Sequence, residues 1–330
     1  MQYKSVTKEE WDNTIEKLLL SYTIFAGIPS DAGQDYEELK ASDIPHIIYN
    51  KPKPATPLKS FFLPVKENVT SEKDVKERII IGTPNCDIEG LSILDEIYLD
   101  KDFPDIKYRE RRENTILIST DCIGIQEHCH CLTYGIKPFS TITADLAVIS
   151  LNGMMIIRII TGKGDGFMSN VFPDARPLKD GEILSAIEKE HHATETLLST
   201  SNKGLPEYKM TGKLVAETKA EIWGKYSARC VSCGACTTIC PTCTCFLLID
   251  KPGFEKVKQL DACQYPGFER VAGGEDVLFE LHNRFKNRYM CKYIWKPDKF
   301  SSIACTGCGR CIEACIGKIN KNELFMELAK

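Results

Sequence analysis

Hydrophobic positions in the first third of the chain follow two different periods. Between residues 11 and 19 they recur at the three- and four-residue spacing of a helix face, and Thr7 with Glu10 forms a capping box just before them. Two short continuous apolar runs, at 79–81 and 115–119, are typical of buried strands. This part of the chain is therefore predicted to mix helices and strands.

A β-hairpin gives the strongest local signal. The apolar segments 146–150 and 154–160 flank Asn152-Gly153, a dipeptide that favours a tight hairpin turn. A helix face over 91–97 adds to the mixture. The predicted elements of the first half are those of a mixed α/β domain.

The second half of the chain is predicted to be mainly helical. Residues 182–198, 214–226 and 278–293 fit helical spacing, and few alternating strand-like patterns occur among them. The predicted fold class is therefore α+β, with a mixed α/β domain over 1–200 followed by a mainly helical domain over 201–330.

Composition narrows the function classes. Of the 330 residues 43% are hydrophobic and the formal net charge is −4, which suits globular cores and leaves no basic excess for nucleic acid. The most apolar stretch, 154–160, contains Arg158 and is far shorter than the roughly 20 residues that span a bilayer. No apolar export signal follows the first residues, so we expect no membrane span and a cytoplasmic location.

Sixteen cysteines set this chain apart. In a reducing cytoplasm, clustered cysteines favour metal or redox centres over disulfides. Eight of them fall into two copies of the iron–sulfur spacing C-x2-C-x2-C-x3-C. The copies are Cys230, Cys233, Cys236 and Cys240, followed by Pro241, and Cys305, Cys308, Cys311 and Cys315, followed by Ile316.

Each copy is predicted to serve two clusters. Three thiolates on one tight loop bind three corners of a cubane, and in two-cluster ferredoxins the fourth cysteine binds the other cluster. Two structural zinc sites are the alternative, although zinc sites usually pair two C-x2-C units. The predicted ligands are Cys230, Cys233, Cys236 and Cys315 for one [4Fe–4S] cluster, and Cys305, Cys308, Cys311 and Cys240 for a second, in a ferredoxin-like domain.

Four cysteines in the first half suggest a third cluster. Cys86 and Cys122 each follow a predicted strand, and Cys129 and Cys131, two apart in an extended segment, face the same way. If the two strand ends converge, these four thiolates meet at one site. The alternative is that they are free cysteines packing as small apolar groups.

A rival set of ligands follows the first motif. Cys243 and Cys245 come directly after it, and Cys263 comes later in the chain. These three compete with the N-terminal cysteines as ligands of a third cluster. Cys291 is interpreted as an ordinary core cysteine.

Five other features carry expectations about the surroundings of these sites. His130 is expected to form hydrogen bonds beside a metal site, and His191 to be solvated on a polar helix. Asp87 is a candidate cap for the helix that follows it. Arg310, next to a predicted ligand, either tunes a cluster potential, docks a partner or is a solvated charge. The glycines of 162–166 are interpreted as a loop, since their spacing is not that of a dinucleotide-binding turn.

The sequence around the first motif is similar to a known family. Residues 229–246, which read R-C-V-S-C-G-A-C-T-T-I-C-P-T-C-T-C-F, resemble the iron–sulfur electron-transfer subunit of anaerobic sulfite reductase and the related beta subunit of soluble sulfhydrogenases. Further similar segments are Cys86-Asp87, Leu94-Asp95, Cys129-x-Cys131, Pro266-Gly267-Phe268, Ala272-Gly273-Gly274 and the second motif from Cys305 to Cys311.

This resemblance implies a non-catalytic iron–sulfur component of an anaerobic oxidoreductase complex. Such a component takes electrons from a flavin- and NAD(P)H-binding subunit, then passes them to a terminal subunit. The terminal subunit is a siroheme sulfite reductase in one branch and a nickel–iron hydrogenase in the other. A heterodisulfide-reductase-like flavin-linked complex and a free-standing ferredoxin-type carrier are the alternatives.

Overall fold

Two β-sheets organise the part of the chain that the structure describes, residues 2–70, 76–300 and 304–330 of a computed structural model. The larger sheet has eight strands and the smaller has three. The strands, numbered along the chain, are β1 Gln2–Thr7, β2 Thr23–Ser30, β3 Gly33–Glu38, β4 Lys66–Asn68, β5 Arg78–Pro84, β6 Thr115–Thr120, β7 Leu146–Leu151, β8 Met154–Ile159, β9 Arg176–Pro177, β10 Phe246–Lys251 and β11 Glu255–Leu260.

The larger sheet mixes parallel and antiparallel pairs. Its order is β3-β2-β5-β6-β7-β8-β1-β9, and its central strands β2, β5, β6 and β7 run parallel. The outer pairs are antiparallel. Because parallel strands end at the same edge, the carboxyl ends of β5 and β6 lie side by side, where ligand sites form in open α/β sheets.

The predicted hairpin is confirmed. β7 and β8 pair antiparallel around Asn152 and Gly153, whose φ angles are 52° and 75°. Positive φ at both central residues gives the turn a twist that matches the twist of the flanking strands.

Helices cover both faces of the larger sheet and form a bundle of their own in the last third of the chain. The first helix is capped as predicted, since Thr7 Oγ1 accepts a bond from Glu10 N at 3.1 Å. A π-helical turn, Cys291–Trp295, joins the ninth helix to the tenth. The helices are α1 Lys8–Leu18, α2 Asn85–Tyr98, α3 Ile106–Glu113, α4 Gly162–Val171, α5 Gly181–Ser201, α6 Tyr208–Glu217, α7 Ala220–Ser227, α8 Ala235–Thr238, α9 Leu281–Met290, α10 Lys296–Phe300, α11 Arg310–Glu313 and α12 Lys321–Leu328.

Strand β5 shows how the sheet is buried. Ile79 and Ile81 join a core that also contains Trp11 of α1. Ile80 points to the opposite face and joins a second core with Leu91 of α2. A continuous apolar run is what a strand needs when both of its faces are covered.

The helical bundle has a separate, aromatic core. Trp223 of α7 contacts Phe285 and Tyr289 of α9, and Phe325 of α12 packs against Tyr289. The buried residues of this core lie between Val215 and Leu328, and Tyr134 of the first half packs against them.

The second half also contains a hairpin, β10–β11, that the helical periodicity did not predict. Pro252 and Gly253, with φ of 82° at Gly253, lie at the turn and offered a signal for it. β11 pairs with β4 from the first half, and Lys258 forms an ion pair with Glu67 at 3.1 Å. The smaller sheet therefore ties the two halves of the chain together.

The prediction of a loop at 162–166 was wrong, because these glycines begin α4. Thr161 Oγ1 accepts a bond from Gly164 N at 3.0 Å and so caps the helix. Gly164 lies so close to the backbone of Asp145 that a side chain has no room there. Within the described ranges, no helix is both long and apolar enough to cross a membrane.

Candidate iron–sulfur centres

The two cysteine motifs adopt the same local structure. In each, a left-handed glycine follows the second cysteine and starts a one-turn helix: Gly234, with φ of 71°, before α8, and Gly309, with φ of 79°, before α11. Only glycine adopts this conformation without strain. The two helical turns pack against each other, so the internal repeat of the sequence becomes a repeat in space.

The ligands predicted for the first cluster line one cavity. Cys230, Cys233 and Cys236 of the first motif surround a space of about 520 Å³ together with Cys315 of the second motif. The structure thus brings together the four side chains that ligand crossing requires. Cys311 reaches the same cavity from the second motif.

The fourth cysteine of the first motif lies with the second motif. Lys292 Nζ is 2.9 Å from Cys240 Sγ and 2.8 Å from the carbonyl oxygen of Ala304, which directly precedes Cys305. Burial, together with nearby groups that include Cys240, raises the pKa of Cys308 to about 12. Cys240 is therefore placed for the second predicted set of ligands.

A buried guanidinium faces the first cavity. Arg288 of α9 lines that cavity, and its Nε has no hydrogen-bond partner among the described residues. Burial lowers the pKa of Arg288, but the Cys236 and Cys311 thiolates outweigh burial and hold this pKa well above its usual value. A buried cation requires an anion. An anionic cluster bound by these thiolates fits the site.

A buried ammonium faces the second set of thiols. Lys321 Nζ lies 2.9 Å from His130 Nε2, 2.9 Å from Tyr134 Oη and 3.5 Å from Cys305 Sγ. Burial by itself raises the pKa of Cys305, but Lys321 and His130 lower it well below its usual value. His130 thus takes the hydrogen-bonding role that was predicted for it.

Sequence reasoning missed these cations. Arg288, Lys292 and Lys296 follow one another at intervals of four residues and alternate with Phe285, Tyr289 and Tyr293 of the aromatic core. Lys and Arg side chains are rarely fully buried unless they are paired, and here they recur at helical spacing beside the aromatic residues of the core. That pattern was the available signal.

Two of the cysteines predicted for a third cluster lie at the ends of neighbouring strands. Pro84 of β5 pairs with Thr120 of β6, and Cys86 and Cys122 each follow two residues later. The strand ends therefore converge, as the third-cluster hypothesis requires.

The other two cysteines of this set complete a cavity at the sheet edge. Cys86, Cys122, Cys129 and Cys131 line a space of about 390 Å³, together with Gly307 and Cys308 of the second motif. His130 N donates to the Gly307 carbonyl oxygen at 2.9 Å. The sheet-edge cavity and the second motif are thus in direct contact.

Two charged residues near the sites form a buried pair. The expectation that Asp87 caps α2 was wrong, because the helix begins at Asn85. Arg310 is buried, which excludes the alternative of a solvated charge. Arg310 Nη2 donates to Asp87 Oδ2 at 2.7 Å, and its Nε donates to the Pro54 carbonyl oxygen at 2.9 Å. This buried ion pair fastens the second motif to the helix that carries Cys86.

The expectation that His191 is solvated was also wrong. His191 Nε2 lies 2.8 Å from Asp121 Oδ2, and Arg158 donates to the other oxygen of Asp121 at 2.7 Å. The His191 ring stacks on Phe139. Because Asp121 directly precedes Cys122, this buried group of side chains fixes the chain where it enters the sheet-edge cavity.

The rival cysteines lie elsewhere. Cys243, Cys245 and Cys263 do not line the sheet-edge cavity. Among the described residues, no group of three Cys, His, Asp or Glu side chains is arranged to hold a single metal ion.

Comparison with known proteins agrees with this picture. Residues 229–319 match the family described as "4Fe-4S dicluster domain". The chain is also 26% identical to the sulfhydrogenase 2 subunit beta of Pyrococcus furiosus, across 99% of this chain and 98% of that relative. The predicted resemblance is thereby confirmed: the chain is similar, over 99% of its length, to a sulfhydrogenase beta subunit, and it contains a match to a 4Fe-4S dicluster domain.

Proposed function

We propose that this chain is a relay that carries electrons from a flavin- and NAD(P)H-binding subunit to a terminal reductase, without a catalytic site of its own. The observation that best supports this proposal is the position of the second motif between the two cavities. Its Cys308 lines the sheet-edge cavity and its Cys311 lines the first cavity. Clusters at these places form one continuous path for single electrons.

The proposed ligands follow the cavities. Cys230, Cys233, Cys236 and Cys315 hold the first [4Fe–4S] cluster, and the contacts of Cys240 support its role in the second. The sheet-edge cavity supports a third cluster. The second cluster takes Cys305, Cys308, Cys311 and Cys240, and the third takes Cys86, Cys122, Cys129 and Cys131.

The chain's own groups set the energetics of the relay. A [4Fe–4S] cluster supplies one-electron transfer, and its reduction potential depends on net charge, hydrogen bonds to sulfur and exposure. Arg288, Lys292 and Lys321 place buried positive charge beside the first two sites. These cations stabilise the more negative, reduced state of a cluster and raise its potential.

The motifs around Cys230 are most like those of the iron–sulfur subunit of anaerobic sulfite reductase, which makes a siroheme sulfite reductase the first candidate for the terminal subunit. A second candidate is a nickel–iron hydrogenase, because the relative that matches along its full length is a sulfhydrogenase subunit. Both candidates use the same relay and differ only in the acceptor. We place the complex in the cytoplasm.

Anaerobic purification of the tagged chain from its own cells tests the proposal. We expect a flavoprotein and one further catalytic subunit to co-purify, and NADH or NADPH to reduce the clusters only when the flavoprotein is present. Siroheme in the preparation selects the sulfite reductase branch, and nickel selects the hydrogenase branch. A chain that stays monomeric in its cell extract and exchanges electrons by diffusion contradicts the proposal and indicates a free-standing carrier.

A further inference from the structure

Four cysteines remain once the eight motif cysteines and the four sheet-edge cysteines are assigned. The chain has sixteen cysteines, and the remainder are Cys243, Cys245, Cys263 and Cys291. They come from three separate segments: the stretch after the first motif, the stretch after β11, and the π-helical turn after α9. The structure brings these three segments together.

The base of the β10–β11 hairpin joins the first two segments. Asp261 N donates to the Cys245 carbonyl oxygen at 2.9 Å, next to the Phe246–Leu260 pair of the ladder. Cys245 and Cys263 therefore flank the same end of the hairpin. Cys263 is buried.

Two lysines attach the third segment to the first: Lys292 in the π-helical turn and Lys296 at the start of α10. Lys296 Nζ donates to the Thr242 carbonyl oxygen at 2.7 Å and to Thr244 Oγ1 at 3.2 Å. Lys292 Nζ donates to Thr242 Oγ1 at 2.8 Å. The stretch that contains Cys243 and Cys245 thus lies on the turn that begins with Cys291.

The buried ammonium of Lys59 lies beside these cysteines and needs an anionic partner. Lys59 comes from the first half of the chain, is only 3% exposed, and donates to the carbonyl oxygens of Cys243 at 3.1 Å and Thr237 at 3.3 Å. Both of these acceptors are neutral. Burying an ammonium group against neutral partners is costly, and an anionic group bound at Cys243 removes that cost.

The geometry points to a fourth [4Fe–4S] cluster, held by Cys243, Cys245, Cys263 and Cys291. It lies beside the first two sites, because Thr237 Oγ1 is 3.9 Å from Cys263 Sγ and Cys243 N donates to the Cys240 carbonyl oxygen at 3.3 Å. The sixteen cysteines then divide into four groups of four, the number that a cubane needs. The relay thereby gains a branch towards the β10–β11 hairpin.

Iron counting on the anaerobically purified full chain tests the fourth cluster separately from the third. In the Cys129→Ser/Cys131→Ser variant, which lacks the sheet-edge ligands, we expect about twelve irons and twelve acid-labile sulfides per chain. About eight irons in that variant contradict a fourth cluster, and leave the two-motif relay of the proposed function intact. Zinc in place of iron overturns the proposal as well.

Substitution at the site itself gives the second test. Cys245→Ser/Cys291→Ser is expected to lose about four irons from the wild-type count, with the Mössbauer components of the motif clusters retained. Thr244→Ser, between two proposed ligands, keeps the hydroxyl that faces Lys296 and is expected to retain all the iron. Unchanged iron in the double cysteine variant overturns the assignment. If that variant does not fold, the iron count of the sheet-edge variant decides the question.

Discussion

Charged groups surround the cysteines differently in two regions of the molecule. One region is the helical part, which carries the two cysteine motifs, and the other is the sheet edge, which carries Cys86, Cys122, Cys129 and Cys131. In the helical part, Lys321 and Lys292 lie within reach of Cys305 and Cys240. At the sheet edge, Lys53 also lines the cavity, but its ammonium is paired with Glu313 at 2.8 Å. In the helical part the lysine ammonium groups face the thiols. At the sheet edge the lysine ammonium is already neutralised by a carboxylate.

The protonation of the thiols follows this difference. A hydrogen bond from Cys243, with Lys292 nearby, holds the pKa of Cys240 well below its usual value. Burial raises the pKa of Cys86 and Cys122 far above the usual value, and that of Cys131 to about 12. The Cys240 and Cys305 thiols are therefore preorganised for an anionic centre, whereas at Cys308 and at the sheet edge the metal itself must displace the protons, as a coordinated metal does.

Removing the iron is expected to have the largest effect, and to affect the two regions unequally. Arg288, Lys292 and Lys321 lose their counter-anions, and each buried charge left unpaired costs on the order of 3–5 kcal/mol. Hydrogen exchange after anaerobic treatment with an oxidant and a chelator should show α9 and α12 losing protection. Strands β5 to β7, buried in their own cores, should keep it. Equal loss of hydrogen-exchange protection in both regions would contradict the difference in charge described for them.

The second largest effect is expected when the ion pair that connects the two regions is broken. Asp87→Asn leaves the guanidinium of Arg310 buried without its carboxylate, so we expect a loss of about 3–5 kcal/mol in the free energy of unfolding. Asp12→Asn is the control, because it removes the partly exposed pair with Lys8 on the surface of α1 and should cost about 0–1 kcal/mol. Similar losses in the two variants, measured by anaerobic denaturant unfolding, would show that the buried pair does not hold the regions together.

Removing two of the proposed ligands at the sheet edge tests whether this region holds a cluster of its own. Cys129→Ser/Cys131→Ser should remove about four irons per chain while the clusters of the two motifs remain. Iron analysis and low-temperature electron paramagnetic resonance provide the measurement. If the iron content does not change, the four sheet-edge cysteines pack as small apolar groups, which was the alternative interpretation of the sequence.

Ligand crossing in the helical part has its own test. Cys240→Ala should damage the cluster that Cys305, Cys308 and Cys311 hold, although Cys240 belongs to the other motif. The spectrum of the cluster at Cys230, Cys233 and Cys236 should persist. Loss of that cluster alone refutes crossing.

The two regions also differ in how much of them the sequence predicts. The cysteines of each motif lie within eleven residues of each other, and their spacing alone predicts the local structure that they share. Asn152-Gly153 specifies its hairpin equally locally. Such features are predictable because the residues that determine them are neighbours in the chain.

Contacts between distant residues were beyond prediction. Asp87 and Arg310 are 223 positions apart, and nothing in the sequence near Asp87 indicates a buried guanidinium. His191 is likewise buried only because Asp121, 70 positions away, accepts its hydrogen bond. The β10–β11 hairpin was missed since its strand β10 is exposed and shows no alternation of buried and polar residues. The mixture of helices and strands was predictable from periodicity, but the connections between the parts of the fold depend on tertiary structure.

The smallest expected effect concerns one charge. Burial lowers the pKa of Lys321, but the Cys305 thiolate and Tyr134 raise it above the usual value, so the side chain is an ammonium at neutral pH. Lys321→Met keeps the length of the side chain and removes its charge, and the second cluster should then become harder to reduce by tens of millivolts. Lys225→Met is the control, since its ion pair with Glu327 at 2.7 Å is largely exposed and screened by solvent. Redox titration of both variants, followed by electron paramagnetic resonance, measures the difference. Equal potentials in the two variants would show that the buried ammonium does not distinguish the helical part from the sheet edge.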